Sequence, residues 1–217
     1  MSTKVLIVDD HELVRYGLGL LLKRNEMEVI GEAADGRQAV EMVSKLKPDI
    51  VLMDVAMPNF NGIDATKKIK DEYPNVKIIA LSAYYSKGFL EGMLGAGASG
   101  YILKECAADE LIRGIQTVVD GGEYLSPKVT KVVVDEYIID SRSYSDVPLA
   151  AQLTLKEREL IQLLTENKSN KEAAKLLHVS IKTVDARRRI AMEKLGITGI
   201  ADLTKFAIRE GLTTLDS

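Results

Sequence analysis

A short apolar run that ends on a carboxylate is the feature that most constrains this chain. Residues Ile50–Met53 are all apolar, Asp54 follows them directly, and Pro58 comes shortly after. A run without polar alternation is typical of a strand that is buried on both faces of a parallel sheet. In an open α/β sheet, ligands bind outside the carboxyl ends of the strands. The sequence therefore predicts that Asp54 lies at the ligand-binding edge of such a sheet.

Strand patterns and helix patterns alternate five times in the first half of the chain. The predicted strands are Lys4–Val8, a segment around Val29–Ile30, Ile50–Asp54, Val76–Leu81 and Gly100–Leu103. Apolar residues at helical spacing follow each of them, at Leu13–Leu22, Gln38–Leu46, Ile63–Glu72, Phe89–Leu94 and Leu111–Val119. Five βα units in succession predict a doubly wound, five-stranded parallel sheet of the α/β class with right-handed crossovers.

Polar residues with complementary chemistry stand at the ends of four of these strands. Asp9 and Asp10 follow the first strand, Asp54 ends the third, Ser82 follows the fourth and Lys104 follows the fifth. Two carboxylates about 4 Å apart repel each other by roughly 4 kcal/mol at an effective dielectric constant near 20. Raised pKa values or a bound cation would relieve this repulsion, and Mg²⁺ prefers such an all-oxygen site. A neutralised site would let an anionic phosphoryl group approach Asp54, with Lys104 and Ser82 binding its oxygens.

These residues resemble the receiver domain of two-component response regulators. The resemblance rests on Asp9-Asp10, Asp54, Ser82 and the segment Gly100–Lys104, and it covers roughly residues 3 to 122. It implies a flavodoxin-like fold in which Asp54 is the phosphoacceptor and a sensor histidine kinase is the phosphodonor partner.

The resemblance also implies a metal site and a conformational switch. The metal is Mg²⁺ (or Mn²⁺), bound by Asp10, Asp54 and the backbone carbonyl of Ala56, with Asp9 acting through water. Ser82, Tyr101 and Lys104 match the positions that bind the phosphoryl group and switch conformation, the hydroxyl turning toward the phosphoryl group and the aromatic ring following inward.

Several neighbouring residues leave questions open. Many receivers have a cis-proline after the lysine, whereas this chain has Glu105, and a cis bond there would cost about 3–4 kcal/mol. A phosphatase acting through an aspartyl-phosphate would need a second carboxylate where this chain has Ala56. Tyr84 is hypothesised to shield the phosphoryl group from water. His11 is interpreted as a solvated or packing residue, and Cys106 as a small filler.

Length and composition indicate how many domains the chain has and in which cellular compartment it is expected. Its 217 residues suit two domains, and charges interrupt every apolar run before it reaches the roughly 20 residues of a membrane span. A single cysteine excludes an internal disulfide and favours a reducing compartment, so we expect a cytoplasmic protein without membrane contact. From Ala151 onward there are 12 basic against nine acidic residues, whereas the remainder has 17 against 23, which indicates different partners for the two halves.

The second half begins after a segment that lacks periodicity. Residues Val129–Ile139 fit a short helix or a β-branched strand equally well, and Ser141–Ala151 is interpreted as a flexible tether. Capping boxes at Thr154–Glu157 and Ser169–Glu172 then predict the starts of two helices. A third helix is predicted over Lys182–Leu195 and a fourth helix over Ala201–Glu210. Two short helices around a tight turn, the second of them basic, predict a helix-turn-helix.

This pattern resembles the four-helix LuxR-type DNA-binding domain of NarL/FixJ-family response regulators. The segments that carry the resemblance, across residues 150 to 214, are Leu153–Glu159, Ser169–Ala174, Thr183–Val184 and Glu193–Ile197. It implies that Asp185, Ala186 and Arg189 face base edges of double-stranded promoter DNA. The positions implied to lie near phosphates are Asn170, Lys171, Lys182, Thr183, Arg187 and Arg188.

Two of these positions depart from the family's frequent residues. Asp185 stands where lysine is common and Arg187 where histidine is common. A carboxylate favours a cytosine amino group over a guanine edge, so the DNA site is expected to be unusual.

The sequence as a whole predicts a transcription regulator rather than an enzyme. The expected organisation is a receiver at residues 1–122, a linker at 123–150 and a DNA-binding domain at 151–217. Phosphorylation of Asp54 is expected to promote a homodimer on DNA, and RNA polymerase is a further candidate partner. Two alternatives stay open: a phosphorylation-independent DNA-binding or scaffold protein with a retained receiver fold, and an aspartyl-phosphate enzyme.

Overall fold

The computed structural model describes residues 2–140 and 153–213, with side chains throughout except at 135–140. The chain forms two compact units, one N-terminal and one C-terminal. The N-terminal unit contains β1 (Lys4–Val8), α1 (Glu12–Arg24), β2 (Glu28–Ala33), α2 (Gly36–Leu46), β3 (Ile50–Asp54), α3 (Gly62–Glu72), β4 (Lys77–Ser82), α4 (Lys87–Gly95), β5 (Gly100–Leu103), α5 (Ala108–Val119), β6 (Tyr124–Leu125) and α6 (Pro127–Asp140). No helix of the described residues is both long enough and apolar enough to cross a membrane.

The strands of the N-terminal unit form one parallel sheet in the order β2-β1-β3-β4-β5-β6. The first five follow the order of a flavodoxin-like doubly wound fold, which confirms the predicted class. Every residue of β3 is buried, as its unbroken apolar sequence predicted. The register places Asp54 beside Leu81 and Ser82 beside Leu103, so the strand ends align at one edge.

Apolar residues on alternate positions of the strands build the core on one face of the sheet. Val5 and Ile7 of β1 and Ile50 and Leu52 of β3 pack there with residues from α1 and α5. Because side chains alternate along a strand, the residues between them, such as Val51, face the helices on the other side. Cys106 is half-buried and packs against this core. Burial raises the pKa of its thiol, which agrees with its interpretation as a small filler rather than a nucleophile.

The sheet continues beyond the boundary predicted at residue 122. Gly100 pairs with Tyr124 and Tyr101 with Leu125, which adds β6 as a sixth strand. A two-residue strand has no room for an alternating pattern, so the sequence alone did not predict it. The ambiguous segment that follows is helical, as α6. The predicted tether at 141–151 lies outside the described residues.

Four helices make up the described part of the C-terminal unit: α7 (Leu155–Thr165), α8 (Asn170–Leu176), α9 (Ile181–Leu195) and α10 (Ile200–Arg209). Both predicted capping boxes are present. The side chains of Thr154 and Ser169 each accept a hydrogen bond from the backbone N–H three residues on, and their own backbone N–H groups donate to the carboxylates of Glu157 and Glu172. The Ser180 side chain caps α9 by accepting from the Thr183 backbone N–H, and Gly196 ends that helix in the left-handed conformation.

Two small apolar clusters hold these helices together. One joins Leu160 and Leu163 of α7 to Ala173 of α8 and Val184 of α9. The other joins Ile161 to Ala191 and to residues of α10 such as Phe206. At the other end of α9, Lys194 Nζ lies 2.8 Å from the buried Glu157 carboxylate, which ties α9 to the start of α7.

Two glycines of the N-terminal unit predict opposite effects of the same substitution. A Cβ at Gly62 would collide with the Asp54 backbone carbonyl, whereas one at Gly17, in α1, meets nothing within 4 Å. Gly62→Ala is therefore expected to lower the stability of the unit by about 2–3 kcal/mol. Gly17→Ala, the control, is expected to raise it by about 0.5–1 kcal/mol. Native-state hydrogen exchange of the β1 and β3 amides measures both changes, and equal effects would contradict the packing described around Gly62.

Candidate functional site

The carboxyl ends of four strands bring the predicted receiver residues together. Asp9 and Asp10 follow β1, Asp54 ends β3, Ser82 ends β4 and Lys104 follows β5. Lys104 Nζ lies 2.7 Å from Asp9 Oδ2 and 2.8 Å from Asp54 Oδ2. The residues predicted from separate strand ends are thus one cluster of charges.

The cluster sets one ammonium between two buried carboxylates. Asp9 and Asp54 are almost completely buried, and the Ala56 backbone N–H donates to Asp54 Oδ1 at 3.3 Å. Burial opposes the charge on Lys104, yet the adjacent Asp54 and Asp9 carboxylates prevail and raise its pKa above the usual range. Lys104 therefore stays protonated, and the two aspartates with one lysine leave one negative charge to be neutralised.

Asp54 has a strongly raised pKa in this cluster. Burial raises the pKa of Asp54 most, Lys104 opposes the rise, and the charge of Asp9 adds to it, so that the pKa reaches about 7. A carboxyl group held so far above its ordinary value favours a cation or a proton nearby. Asp54 is thus the residue whose charge state depends most on what binds at this edge.

A set of four side chains, three of them acidic, extends from the buried cluster to the surface. Asp9, Asp10, His11 and Asp54 each offer a ligand atom, and these atoms all lie within 4.8 Å of one another. Three of the four donors are carboxylate oxygens, the ligands that suit Mg²⁺ or Mn²⁺. The residues present therefore fit a hard divalent cation.

His11 and Arg15 belong to this edge, and sequence reasoning did not give them a role there. His11 Nδ1 lies 2.8 Å from Asp10 Oδ1 and 3.3 Å from Asp9 Oδ1, although 68% of the side chain is exposed. Arg15 Nη1 donates to the Asp9 carbonyl at 2.8 Å, and its Nε pairs with Glu32. The position of Arg15, one helical turn after His11, was the signal available in the sequence.

Ser82 lies at the end of β4 and Tyr101 lies in β5, with the tyrosine ring buried. The Ser82 hydroxyl donates to the Tyr84 carbonyl at 2.8 Å. Tyr101 is fully buried, and burial raises its pKa to about 12 with smaller effects from Ser82, Tyr84 and Asp54. Tyr84 itself is 45% exposed, and its ring packs in a tilted arrangement 6.1 Å from Phe89.

The bond after Lys104 is trans, because no peptide bond among the described residues is cis. The Glu105 side chain forms an ion pair, with its Oε1 2.8 Å from Nζ of Lys128 on α6. The residue that replaces the family's proline thus links the loop after β5 to the helix that follows β6.

The predicted DNA-contacting residues lie on α8 and α9 of the C-terminal unit. Lys182, Asp185, Ala186 and Arg189 are exposed on the side of α9 that faces away from the buried Val184. Arg187, Arg188 and Thr183 are half-buried on its flanks, so the three consecutive arginines do not form a single exposed cluster. On α8, Lys171 is exposed, and Asn170 donates to Asp185 at 2.6 Å.

Family models match both halves of the chain. The response regulator receiver domain matches residues 5–116, and the luxR family of bacterial regulatory proteins matches residues 151–207. The oxygen regulatory protein NreC of Staphylococcus aureus is 38% identical over 215 residues, which cover 96% of this chain and 98% of that protein.

Solved structures give the same result. A two-component response regulator of the LuxR family from Aurantimonas sp. SI85-9A1 is 31% identical, covers 64% of this chain and 99% of its own, and superposes with a TM-score of 0.62. RcsB of Salmonella enterica serovar Typhimurium, bound to promoter rprA in the presence of the phosphomimetic BeF₃⁻, is 26% identical, covers 95% of this chain and 98% of its own, and gives 0.62.

Regulators of this kind control transcription and are not enzymes. The aligned strand-end charges of the N-terminal unit and the helix-turn-helix of the C-terminal unit agree with the two family matches in order and extent. The chain belongs to the NarL/FixJ family of two-component response regulators, with a receiver domain followed by a LuxR-type DNA-binding domain.

Proposed function

We propose that this regulator is switched by phosphorylation of Asp54 and that a sensor histidine kinase supplies the phosphoryl group. The observation that carries the proposal is the buried Asp54 carboxylate with Lys104 Nζ at 2.8 Å. A nucleophilic carboxylate and a fixed ammonium at one edge are what transfer of an anionic phosphoryl group requires, because catalysis of this reaction consists mainly of positioning and charge stabilisation.

We further propose that the acidic group binds Mg²⁺ or Mn²⁺. Asp10, Asp54 and the Ala56 carbonyl would hold the ion, with Asp9 acting through water, and the mutual approach of the carboxylate oxygens supports this assignment. When bound, the ion would neutralise the carboxylates and so lower the repulsion between Asp54 and an incoming phosphoryl group.

The chain's own residues would then stabilise the phosphorylated state. Lys104 would keep its contact with Asp9 and bind a phosphoryl oxygen in place of the Asp54 carboxylate. Ser82 would have to release the Tyr84 carbonyl, to which it now donates, to give its hydroxyl to the phosphoryl group. Tyr101 already occupies the inward position, so the hydrogen bond of Ser82 is the contact that changes.

The proposed output is dimerisation on promoter DNA through the C-terminal unit. RcsB, a structural relative with 26% identity and a TM-score of 0.59, is seen as dimers bound to DNA, and this supports a similar assembly here. Asp185, Ala186 and Arg189 would face base edges, and RNA polymerase is a candidate partner at the promoter. The residues proposed to lie near phosphates are Asn170, Lys171, Lys182, Thr183, Arg187 and Arg188.

The proposed phosphorylation control predicts a donor-dependent change in DNA binding. Wild-type protein treated with acetyl phosphate and Mg²⁺ is expected to protect a promoter fragment in footprinting at lower protein concentration than untreated protein. Asp54→Ala, and wild type with the metal chelated, are expected to show no such change. An equal response of Asp54→Ala and wild type would exclude Asp54 as the control point and favour a phosphorylation-independent regulator.

The raised pKa of Asp54 predicts a pH dependence of stability in the metal-free, unphosphorylated protein. Between about pH 4 and pH 7, Asp54 is protonated in the folded state and ionised in the unfolded state, so stability falls as pH rises and is constant above that window. The free energy of unfolding of wild type relative to Asp54→Asn should therefore fall by on the order of 1 kcal/mol from pH 6 to pH 8.

Urea unfolding of both proteins in chelator-containing buffer measures this difference, and the substitution cancels the contribution of all other titrating groups. A relative stability that stays constant from pH 6 to pH 8 would contradict the raised pKa of Asp54, because the carboxyl group would then be ionised in both states throughout this range.

The Tyr84 side chain is expected to lengthen the lifetime of the phosphorylated state. Its backbone is held beside Ser82 and its ring packs against Phe89, so the side chain is placed to cover an approach to the phosphoryl group. Tyr84→Ala is expected to speed hydrolysis of purified phosphoprotein several-fold, because water would gain access. Tyr16→Ala, which removes the same exposed side chain from α1, serves as the control. An unchanged hydrolysis rate in Tyr84→Ala would refute the shielding role.

A further inference from the structure

The outer face of α9 carries an acidic residue among basic ones. Lys182, Asp185 and Arg189 are three and four residues apart, so they lie side by side on the helix, and all three are exposed. Phosphates of DNA repel a carboxylate, and each such repulsion weakens binding to every sequence alike. An acidic side chain on this face therefore needs a contribution to sequence recognition that offsets the loss.

A hydrogen bond from the preceding helix holds Asp185 in one orientation. Asn170 Nδ2 donates to Asp185 Oδ1 at 2.6 Å, although the two residues are 15 positions apart. Both residues lie in capped helices, because Ser169 caps α8 directly before Asn170 and Ser180 caps α9 five residues before Asp185. Asp185 Oδ2 has no hydrogen bond to any residue that the structure describes, so one carboxylate oxygen is held and the other can accept.

We propose that Asn170 and Asp185 form one base-reading pair that selects cytosine. Asp185 would accept a hydrogen bond from the exocyclic amino group, and Asn170 is the positioning residue that orients the carboxylate. The proposal rests on the proposed use of α9 as the helix that enters the major groove. For Asn170 it replaces the position near a phosphate that was proposed above from the family resemblance.

The donor and acceptor pattern of the major groove favours cytosine for such a pair. Guanine presents two acceptors and thymine presents an acceptor beside a methyl group, so both repel or fail to bind a carboxylate. Adenine has an amino donor, but its N7 acceptor lies next to it and would face the second carboxylate oxygen. Cytosine presents its amino donor without a neighbouring acceptor, and it is the base that a carboxylate matches best.

The hydrogen bond from Asn170 also explains how a short side chain can discriminate bases. A free aspartate on a helix surface would lose rotamer freedom when it binds, and that loss would reduce the gain from a single hydrogen bond. A carboxylate that is already fixed loses less. Asn170 is thus expected to increase the ratio of specific to non-specific affinity without adding to the affinity for arbitrary DNA.

Selection from a randomised duplex library with the full-length, phosphodonor-treated protein tests the pair. Wild type is expected to enrich cytosine at one position of each half-site by about tenfold over the other bases. Asp185→Asn should shift this position toward adenine and Asp185→Lys toward guanine, since these side chains match those edges. Asp202→Lys, with the same charge change at an exposed aspartate of α10, is the control and should keep the preference for cytosine. Far-UV circular dichroism checks that each variant is folded.

Asn170→Ala separates the two assignments of that residue. As a positioning residue, it should leave cytosine preferred but reduce the preference several-fold, with non-specific affinity unchanged. As a phosphate contact, its loss would weaken binding to all sequences equally and leave the preference for cytosine unchanged, which would overturn the pair.

The same experiment distinguishes failure of the pair from failure of the proposed function. Identical base preferences in wild type and Asp185→Lys would overturn the pair while leaving DNA recognition intact. A wild-type protein that enriches no sequence over random DNA would overturn the proposed recognition by α9, and the pair with it.

Discussion

The ammonium of Lys104 between the carboxylates of Asp9 and Asp54 is the interaction on which the rest of the receiver depends. Two buried aspartates this close would repel each other strongly in the absence of an intervening cation. The single lysine neutralises half of their charge, and burial raises the pKa of Asp54 to about 7. The edge therefore remains incompletely neutralised, a state that favours a cation or a proton at this position.

The geometry of this cluster comes from the sheet rather than from the charged residues themselves. Asp9 and Asp54 are adjacent because β1 and β3 pair in parallel with Val8 beside Met53. Lys104 reaches both from β5, two strands away from β3, because its backbone N–H is fixed to the Ser82 carbonyl at 2.7 Å and its side chain is long. The apolar pairing of the strands therefore provides the energy that holds like charges together.

Strand β5 connects the charged cluster at the strand ends to β6 and α6, which follow it in sequence. The Ser126 backbone N–H donates to the Tyr101 carbonyl at 3.0 Å, so the residue that carries the buried ring also anchors β6 and the start of α6. Glu105, next to Lys104, pairs with Lys128 on the same helix. Because both partners of that ion pair are largely exposed, solvent screens their attraction and the pair contributes little to stability. The backbone pairing is therefore the stronger of the two links.

The sequence by itself determined the α/β alternation, the five long strands, the two capping boxes and the set of residues at the strand ends. Each of these follows from local periodicity or from side chains within three or four residues, which a linear reading contains. Only the tertiary structure revealed β6, the ion pair of Glu105, the ion pair of Arg15 with Glu32, and the hydrogen bond that joins Asn170 to Asp185. These depend on which segments pack together, and contacts between residues far apart in sequence leave no periodic trace. Local sequence pattern therefore predicts which chemical groups the chain carries. The packing of strands and helices within each folded unit decides which of these groups contact one another.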